Sequence, residues 1–470
     1  MELLSAVDAG FLEVEDSDPR VSLAIAGVSV VAGPIPPYQK LVATLAERVR
    51  TIPQCTRKLH THRLDLGPPE WVDDPHFDIT HHIHRIALPD PGGDAELFQM
   101  IATLMQTRLD RERPLWECWI IERLRGNRWA VMVKIHHCIA DGIATTQMLG
   151  RLSDDGATDT FANNIHAAKQ LVGAALPRPA LGWNLLAWPG EVWRSAVGAA
   201  TAAQHAAIGV AEITAELLSS PGSSLTGAVT TMRRYSAARV KLADLKQVAR
   251  AFDVTLNDVA LAAITDSYRN LLLRRGEQPR HDTARTLVPV SIRSMKEMQQ
   301  TGNRVAAMLP LLPVDEADPL KQLELVHSRL TRAKNSGQRE GTTALLAIVN
   351  HVPFTLSALT IRLLGRLPQH AFSVLATNIP GSRRRHRLMG RQVLEVLPVP
   401  PIVLGLRTAI AMVSYADDFV FGITADYDMA PDVDQLSAGI ERGVARLVAL
   451  SEKRRRQPKR KSMPQSPGDG

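Results

Sequence analysis

The sequence predicts an α/β protein made of two domains that are joined by a helical connector. Strand-like and helix-like segments alternate over residues 1–160, and the same mixture returns over residues 230–450. Between them, residues 161–229 are rich in Ala, Gly and Pro, which is typical of a connector. At 470 residues the chain is too long for one ordinary domain. Because ligand sites often lie in clefts between domains, we expect the functional site between the two α/β halves.

In the first half, apolar runs from Val21 to Val31 and from Trp129 to His137 predict strands. The segments from Pro37 to Thr51 and from Ala95 to Leu109 carry apolar residues at helical spacing. The connector contains an Ala-rich run from Ser195 to Leu218 that predicts one or two helices.

The second half begins with a clearly marked helix. Thr255 and Asp258 form a capping box at its start, and Gly276 follows Arg274 and Arg275 at its end. Further strands are predicted at residues 286–292, 305–312, 408–414 and 420–425.

Composition excludes several classes of protein. With 45% apolar and 22% charged residues the chain is globular, and with only 4% aromatic residues it is a poor candidate for stacking nucleic-acid bases, so we expect no nucleic-acid partner. The formal charge is +7. Much of it lies in residues 451–470, a Pro- and Gly-containing basic segment that we interpret as a disordered tail. Contact of this tail with an anionic membrane surface is the alternative.

The cysteines and the N-terminus favour a cytoplasmic protein. Cys55, Cys118 and Cys138 are far apart in the sequence, which argues against a disulfide framework and against a zinc site. The N-terminal segment is acidic and lacks the pattern of a signal peptide. The longest uncharged stretch, residues 341–361, contains Asn, His and Pro near its centre, so we interpret it as a buried or interfacial helix.

The most informative motif lies between Trp129 and Gly142. Alternation along the strand places His137 on the same face as Ile135, and His136 on the opposite face with Lys134. A neutral imidazole in a partly dry site can accept a proton from a hydroxyl, because its pKa of about 6.5 is close to the working pH. Asp141 and Gly142 are expected to turn the chain into a following helix, with Asp141 as its cap. A structural reading, with a hydrogen-bonded core histidine and a simple helix cap, remains open for each residue taken singly.

The pattern His136-His137-x-x-x-Asp141-Gly142 resembles the signature of acyltransferases that are built like chloramphenicol acetyltransferase. Further segments are similar to the ordered motifs of bacterial wax ester synthase/acyl-CoA:diacylglycerol acyltransferases. These segments are Leu4 to Leu12, Arg113 to Glu117, Asn257 to Ala262, Val288 to Arg293, Gly302-Asn303 and Thr377 to Gly381. The resemblance covers nearly the whole chain up to about residue 450.

The resemblance implies two chloramphenicol acetyltransferase-like domains with the active site in a tunnel between them. It implies transfer of a long-chain acyl group from acyl-CoA to diacylglycerol or a fatty alcohol, with acyl-CoA as a substrate and with no cofactor and no metal. His137 is then the base, His136 is its neighbour in the motif, and Asp141 has a mainly structural role, with Arg293 as a candidate partner. Because the acceptor is apolar, we expect a cytoplasmic protein that is peripherally associated with a membrane or lipid droplets.

Other residues have both a functional and a structural reading. Asn257 and Asp258 are explained by helix capping or by a supporting role in catalysis. Thr377 and Asn378 have a functional reading, in which they face the developing oxyanion or the coenzyme, and a structural one, in which they precede a Pro-Gly turn. Thr377 stands where serine is common in the family. Two clusters of like residues also have two readings. Arg383, Arg384 and Arg385 either bind the phosphates of coenzyme A or belong to a solvated loop. His81, His82 and His84 either bind a metal or, preferably, form a polar strand face.

Three alternatives remain open from the sequence. Cys138, beside the two histidines, could act as a nucleophile with a covalent acyl intermediate, although alternation places it opposite His137. A condensation-type or polyketide-associated acyltransferase would use the same histidine motif and take its acyl group from a carrier protein. A non-catalytic member would bind acyl lipids as a scaffold.

Overall fold

The computed structural model describes seven ranges of the chain, namely residues 2–62, 67–139, 148–154, 223–291, 305–335, 372–403 and 405–456. Several features singled out in the sequence lie outside the described residues: Asp141, Gly142, Arg293, the motif Gly302-Asn303, most of the connector, and the uncharged stretch 341–361.

The first half of the chain contributes four strands to a six-stranded sheet that is built around one central hairpin. In spatial order its strands are β12 (Arg387–Leu388), β13 (Arg391–Val399), β2 (Ala24–Ala32), β7 (Arg128–His136), β6 (Trp116–Leu124) and β5 (Ile83–Ala87). β6 and β7 form the antiparallel hairpin, and β5 pairs with β6 in parallel. A smaller sheet has the order β1 (Glu2–Leu3), β4 (Glu70–Asp73), β3 (Arg57–His60).

The second half builds another six-stranded sheet. In spatial order its strands are β10 (Val305–Met308), β9 (Thr286–Ser291), β11 (Val374–Ile379), β14 (Thr408–Tyr415), β15 (Asp418–Asp426) and β8 (Arg233–Lys241). The described helices are α1 (Ala6–Ser17), α2 (Tyr38–Val49), α3 (Asp94–Gln106), α4 (Leu242–Phe252), α5 (Leu256–Arg274), α6 (Pro319–Asn335) and α7 (Val433–Arg456). The two sheets and their helices confirm the mixed α/β class.

Several contacts join the halves. β13 comes from the second half of the chain but pairs antiparallel with β2, so that Val399 lies opposite Ala26. The boundary between the two halves in space therefore differs from a boundary between them drawn along the sequence. On the other side of the interface α3 packs on β8, where the Phe98 ring lies 5.3 Å from the ring of Tyr235. Tyr235 also donates from Oη to the Pro398 carbonyl at 2.9 Å, which links β8 to β13.

The sequence-predicted elements agree with the structure where the described residues test them, with two differences. The capping box of Thr255 and Asp258 starts α5 as expected. The strand predicted over residues 305–312 ends at Met308, because Pro310 has no N–H to donate to a ladder. Residues 451–456 of the predicted basic tail are helical, because α7 continues to Arg456.

The central strands are buried on both faces, since helices and the second half of the chain cover them. Eight of the nine residues of β7, and all eight of β14, are buried. Among the described helices, none combines the length and the apolar character that crossing a bilayer requires.

Candidate active site

The two motif histidines lie where β7 ends, in the middle of the first sheet. The His136 N–H donates to the Leu115 carbonyl at 3.0 Å, and the His137 N–H donates to the Leu23 carbonyl at 2.9 Å. Leu115 belongs to the segment from Arg113 to Glu117 that precedes the motif in the sequence. The neighbouring strands therefore fix the backbone of both histidines, and this explains why that segment accompanies the motif.

The His136 ring is buried and held in one tautomer. Its Nδ1 accepts the Cys138 N–H at 3.2 Å, so the ring proton of the neutral form is on Nε2. Nε2 lies 3.4 Å from Oε2 of Glu15, a residue of α1 that is only 2% exposed. The N-terminal helix thus places a carboxylate against the first histidine of the motif.

Glu15 remains ionised inside the protein because three donors surround it. Arg111 Nη2 lies 2.8 Å from Oε2, and the Leu23 N–H donates to Oε1 at 3.0 Å. Burial alone would raise the pKa of Glu15, but the hydrogen bonds and charge interactions with His136, Arg111 and Leu23 lower it to about 2. Arg111, Glu15 and His136 therefore form a connected polar chain that ends at the first histidine of the motif.

The face of β7 that carries His136 and Lys134 is also buried. Lys134 is fully buried, and its Nζ donates to the carbonyls of Leu104 and Thr107 at 2.9 and 2.6 Å. These carbonyls belong to the C-terminal end of α3, where helix carbonyls lack partners within the helix. Burial lowers the pKa of Lys134. Although Lys134 and His136 suggest a polar strand face, the end of α3 covers it at Lys134 and α1 covers it at His136.

His137 is half-buried and lies against an aromatic ring of α1. The centroids of the His137 and Phe11 rings are 4.4 Å apart, with the planes tilted by 33°. β7 itself ends at His136, but the hydrogen bond to Leu23 extends the strand-like pairing to His137. The second histidine is thus held at an apolar edge and is partly accessible.

Cys138 is unsuited to be a nucleophile. It is 2% exposed, and burial raises the pKa of its thiol well above the ordinary value. A thiol attacks carbonyls as a thiolate, and burial disfavours the thiolate. The structure therefore argues against the covalent alternative.

A second cluster joins two motifs of the second half. Nδ2 of Asn378, near the end of β11, lies 3.4 Å from Oδ1 of Asn257 at the start of α5. Asp258 is buried, and its Oδ2 accepts from the Thr255 N–H at 2.8 Å and lies 2.8 Å from Nδ1 of His327. Capping explains Asp258, whereas the contact between the two asparagines could not be predicted from the sequence.

The segment after β11 is shaped by close packing. Thr377 lies opposite Ala411 of β14. A Cβ built at Gly381 would lie 2.1 Å from the Ser414 carbonyl oxygen, so glycine is required for the backbone to approach β14. The Gly of the Thr377 to Gly381 motif therefore has a packing role.

The arginine cluster is partly engaged within the protein. Arg385 donates to the Leu394 carbonyl at 2.6 Å and to Asp418 at 3.1 Å. Arg384 is exposed and Arg383 is half-buried. Coenzyme A binding by these residues stays a prediction.

His82 does not lie on a polar strand face. Its ring is 3% exposed and stacks on Trp116 at 4.6 Å, and Nδ1 lies 2.8 Å from the Trp116 carbonyl oxygen. The predicted polar face is wrong here because a short turn of helix precedes β5 and rotates His82 inwards. In the parts of the chain that the structure describes, no group of three or more metal-ligating side chains is found.

Sequence reasoning missed the contribution of α1. Glu15 lies in the acidic N-terminal segment and Phe11 in the segment from Leu4 to Leu12, and neither is predicted to contact the histidines. A signal was present, because Phe11 and Glu15 are four residues apart and so share one face of a helix. The roles of Asp141, Gly142 and Arg293 stay predictions, since these residues lie outside the described ranges.

A small cavity of about 40 Å³, open to solvent, lies where the two halves meet. β2, β7, α2 and the short segment 148–154 line it from the first half, and β13, β14 and the segment after β11 line it from the second.

Comparisons with known proteins agree with this architecture. The chain matches the family model described as the wax ester synthase/diacylglycerol acyltransferase catalytic domain over residues 4–260, and the WS/DGAT C-terminal domain over residues 301–447. It is 51% identical over 455 residues, covering 97% of both chains, to the probable diacyglycerol O-acyltransferase tgs1 of Mycobacterium tuberculosis (strain ATCC 25618 / H37Rv).

The fold is similar to those of solved structures. The match to a wax ester synthase/diacylglycerol acyltransferase from Marinobacter aquaeolei VT8 has a TM-score of 0.68 at 24% identity and covers 96% of this chain and 100% of that one. The first condensation domain of the calcium-dependent antibiotic synthetase matches with a TM-score of 0.60 at 14% identity, covering 96% of each chain. Both similarities concern the fold, and they agree with the predicted two-domain architecture.

Proposed function

The chain belongs to the wax ester synthase/diacylglycerol acyltransferase family and is an acyltransferase, and we propose that His137 is the base of its reaction. The reaction moves an acyl group from acyl-CoA to the hydroxyl of diacylglycerol, which gives triacylglycerol, and a long-chain alcohol in place of diacylglycerol gives a wax ester. The observation that carries the assignment of the base is a half-buried His137 that is fixed by β2 and lies against Phe11.

The proposed chemistry needs one base and no acyl-enzyme. A ring nitrogen of His137 removes the proton of the acceptor hydroxyl while its oxygen attacks the thioester carbonyl carbon. The tetrahedral intermediate collapses, the C–S bond breaks, and the coenzyme A thiolate leaves and takes up the proton. Acyl-CoA is consumed as a substrate, and the proposal requires neither a cofactor nor a metal.

His136 acts as a positioning residue in this proposal. Its two ring nitrogens are directed to the Cys138 N–H and to the Glu15 carboxylate, so the orientation of its ring is fixed. The turn from His136 to Cys138 that presents His137 is thereby held in place.

Further residues are proposed as support. Asp141 and Gly142 shape the turn after the motif, with Arg293 as the proposed partner of Asp141. Asn257, Asp258, Thr377 and Asn378 support the site from the second half, and the contact between Asn257 and Asn378 favours a joint role for these two. Arg383, Arg384 and Arg385 are the proposed contacts for the phosphates of coenzyme A.

We also propose a peripheral association with a membrane or lipid-droplet surface in the cytoplasm. The acceptor is apolar and resides in lipid, and the exposed end of α7 carries Lys453, Arg454, Arg455 and Arg456. Clustered basic residues gain about 1 kcal/mol each at an anionic surface. Co-sedimentation of the protein with anionic but not with neutral vesicles supports this association. Failure of the protein to sediment with either kind of vesicle contradicts it.

The test of the function offers radiolabelled palmitoyl-CoA with diacylglycerol, with a long-chain alcohol, or with no acceptor, and separates the products by chromatography. We expect labelled triacylglycerol from the unaltered protein. Cys138→Ser is the matched control, and we expect it to retain activity. Transfer to neither hydroxyl would favour a carrier-protein donor or a non-catalytic lipid-binding role instead.

A further inference from the structure

The end of α1 and the turn that follows it, residues 15–23, contact both histidines of the motif. The Glu15 carboxylate lies beside His136, and the Leu23 carbonyl accepts the His137 N–H at 2.9 Å. These two contacts are joined, because the Leu23 N–H donates to the Glu15 carboxylate at 3.0 Å. The position of both histidines therefore depends on the path of residues 15–23.

This path is fixed by donors from outside the segment. Residues 18–23 belong to neither a helix nor a strand, so regular structure does not supply partners for their carbonyls. Arg108, just after α3, donates from its guanidinium to three carbonyls at 2.6, 2.6 and 2.9 Å, namely those of Glu15, Asp18 and Val21. One side chain of the first half thus holds the segment at three points.

A second arginine reaches the same segment from the other half of the chain. Arg233 is the first residue of β8, and its Nη2 donates to the Arg20 carbonyl at 2.8 Å. This carbonyl lies between those of Asp18 and Val21, which Arg108 binds. The second half therefore contributes directly to the segment that contacts both histidines.

The other nitrogen of the Arg233 guanidinium is anchored within the second half. Nη1 donates to the carbonyls of Thr230 and Met232, and it lies 3.7 Å from Oδ2 of Asp426. Asp426 is fully buried, and its Oδ2 also accepts the Thr230 N–H at 2.6 Å. Because a guanidinium is planar and its donors have fixed directions, anchoring Nη1 also sets the direction of Nη2.

Stability of the interface alone does not call for a cation at this place. Arg233 is only 4% exposed, and a buried ion pair adds little net stability, because the desolvation of both charges offsets their attraction. A neutral hydrogen bond already joins the halves, since the Tyr235 hydroxyl donates to the Pro398 carbonyl at 2.9 Å. What Arg233 adds is the attachment of residues 15–23 to the second half.

We propose that Arg233 is a positioning residue for acyl transfer: anchored in the second half, it holds residues 15–23 where Glu15 and Leu23 fix the two histidines. The inference rests on the proposed function, because it takes His137 as the base. It makes the alignment of the base depend on the second half of the chain, although both histidines belong to the first. A misplacement of about 1 Å can cost about 10²-fold in rate, so loss of this hold is expected to lower kcat.

Two substitutions of Arg233 test the proposal. Arg233→Lys keeps a positive charge beside Asp426, but its single nitrogen cannot replace the two directed donors that join the anchor to the Arg20 carbonyl. Arg233→Met removes the charge and both contacts. The lysine variant keeps the test decisive if the methionine variant fails to fold.

Two neighbouring positions supply matched controls. Tyr235→Phe removes a hydrogen bond between the halves that has no connection to residues 15–23. Arg234→Lys makes the same chemical change one residue further along β8, at an arginine whose Nε donates to the Tyr427 carbonyl within the second half. Both controls weaken the same region without touching the proposed hold on the histidines.

Each protein is assayed for kcat and KM with palmitoyl-CoA at saturating diacylglycerol, for thermal unfolding, and by NMR of labelled histidine rings. The ring resonance that disappears in His137→Ala identifies His137. In both Arg233 variants we expect kcat to fall about 10-fold or more, while KM for palmitoyl-CoA changes less than about 2-fold. The His137 resonance should shift in these variants. Both controls should leave kcat and the resonance unchanged, even where they lower Tm.

An unchanged kcat, or an unmoved His137 resonance, in folded Arg233→Lys would overturn the proposal. An equal loss of kcat in Tyr235→Phe would also overturn it, because a weakened interface would then be sufficient. If neither Arg233 variant folded while the controls did, Arg233 would serve stability and the proposal would fail. If the unaltered protein transferred no acyl group, the proposed function would fail instead, and the His137 resonance would still show whether Arg233 holds the motif.

Discussion

β7 of the first sheet and β15 of the second sheet occupy corresponding positions in the two halves, but the residues at their ends differ. Each is a nine-residue second strand of an antiparallel hairpin, and in each strand every residue after the first is buried. β7 ends in His136 and is followed by His137, whereas β15 ends in Asp426 and is followed by Tyr427. The comparison separates what the fold requires at this position from what the chemistry requires.

The backbone contacts of the two strand ends correspond one to one. The Asp426 N–H donates to the carbonyl just before β14, as the His136 N–H donates to the carbonyl just before β6. The Tyr427 N–H donates to the Met232 carbonyl just before β8, as the His137 N–H donates to the Leu23 carbonyl just before β2. Both halves therefore present the residue after the strand in the same way.

The side chains then differ. The Asp426 carboxylate accepts from the N–H groups of Asp428 and Met429 in the following turn, and from the Thr230 N–H and hydroxyl in the segment before β8. His136 instead has its Nε2 3.4 Å from the Glu15 carboxylate of α1. At the end of β15 the strand itself supplies the carboxylate that gathers the donors, while at the end of β7 a separate helix supplies the carboxylate and the strand supplies a histidine.

The largest effect is expected from His137→Ala, with Tyr427→Ala as its counterpart in the second half. A positioned general base contributes about 10²–10⁴-fold, so His137→Ala should lower kcat by that factor. Tyr427 lies over Arg234, with the guanidinium 3.9 Å from the ring centroid, so Tyr427→Ala should alter stability more than turnover. Rates of acyl transfer and thermal unfolding, measured on both variants, test this contrast between turnover and stability. Near-normal turnover in His137→Ala would refute the assignment of the base.

Glu15→Gln is expected to have the next largest effect, because it removes a buried charge that Arg111 and His136 stabilise. Since the native pKa of Glu15 is about 2 and its ordinary value is 4.5, the ionised form contributes of the order of 3 kcal/mol to folding at neutral pH. The unfolded chain binds more protons between these values, so this contribution is lost as the pH falls from about 4.5 to about 2.

Urea unfolding of the unaltered protein and of Glu15→Gln from pH 7 to pH 3 tests this expectation. The difference in unfolding free energy should shrink as the pH is lowered. A difference that does not depend on pH would mean that Glu15 acts by packing alone. Asp16→Asn is a suitable control, because Asp16 also pairs with Arg111 but is more exposed.

The sequence predicted the fold better than it predicted the site. Strand β7 and the start of α5 followed from alternation and from a capping box, which are local signals. The pairing of β13 with β2 and the contact of Glu15 with His136 join residues that are far apart in the chain. Such contacts depend on the tertiary arrangement of whole elements, and local periodicity carries no information about them.

Lys134→Met is expected to destabilise the protein by about 2 kcal/mol, because it leaves the carbonyls of Leu104 and Thr107 at the end of α3 without their donor. Thr424 is the corresponding residue of β15, also two positions before the strand end, and its buried hydroxyl has no hydrogen-bond partner among the described residues. Thr424→Val should therefore be neutral or stabilising. Thermal or urea unfolding of both variants tests the contrast, and equal destabilisation would mean that packing, rather than hydrogen bonding, dominates at this position.

The smallest effect is expected from Thr255→Ala, which removes a helix cap and leaves the motif residues Asn257 and Asp258 in the chain. Loss of a threonine cap costs about 1 kcal/mol, and the loss should appear as a lower unfolding free energy. If these motif residues serve only the architecture of α5, kcat at a temperature where the variant is folded should be unchanged. Asn378→Ala, which removes the contact to Asn257 without touching the cap, should then lower kcat only if the asparagine pair serves the reaction. A drop in kcat in a fully folded Thr255→Ala variant would instead show that acyl transfer depends on the position of the start of α5.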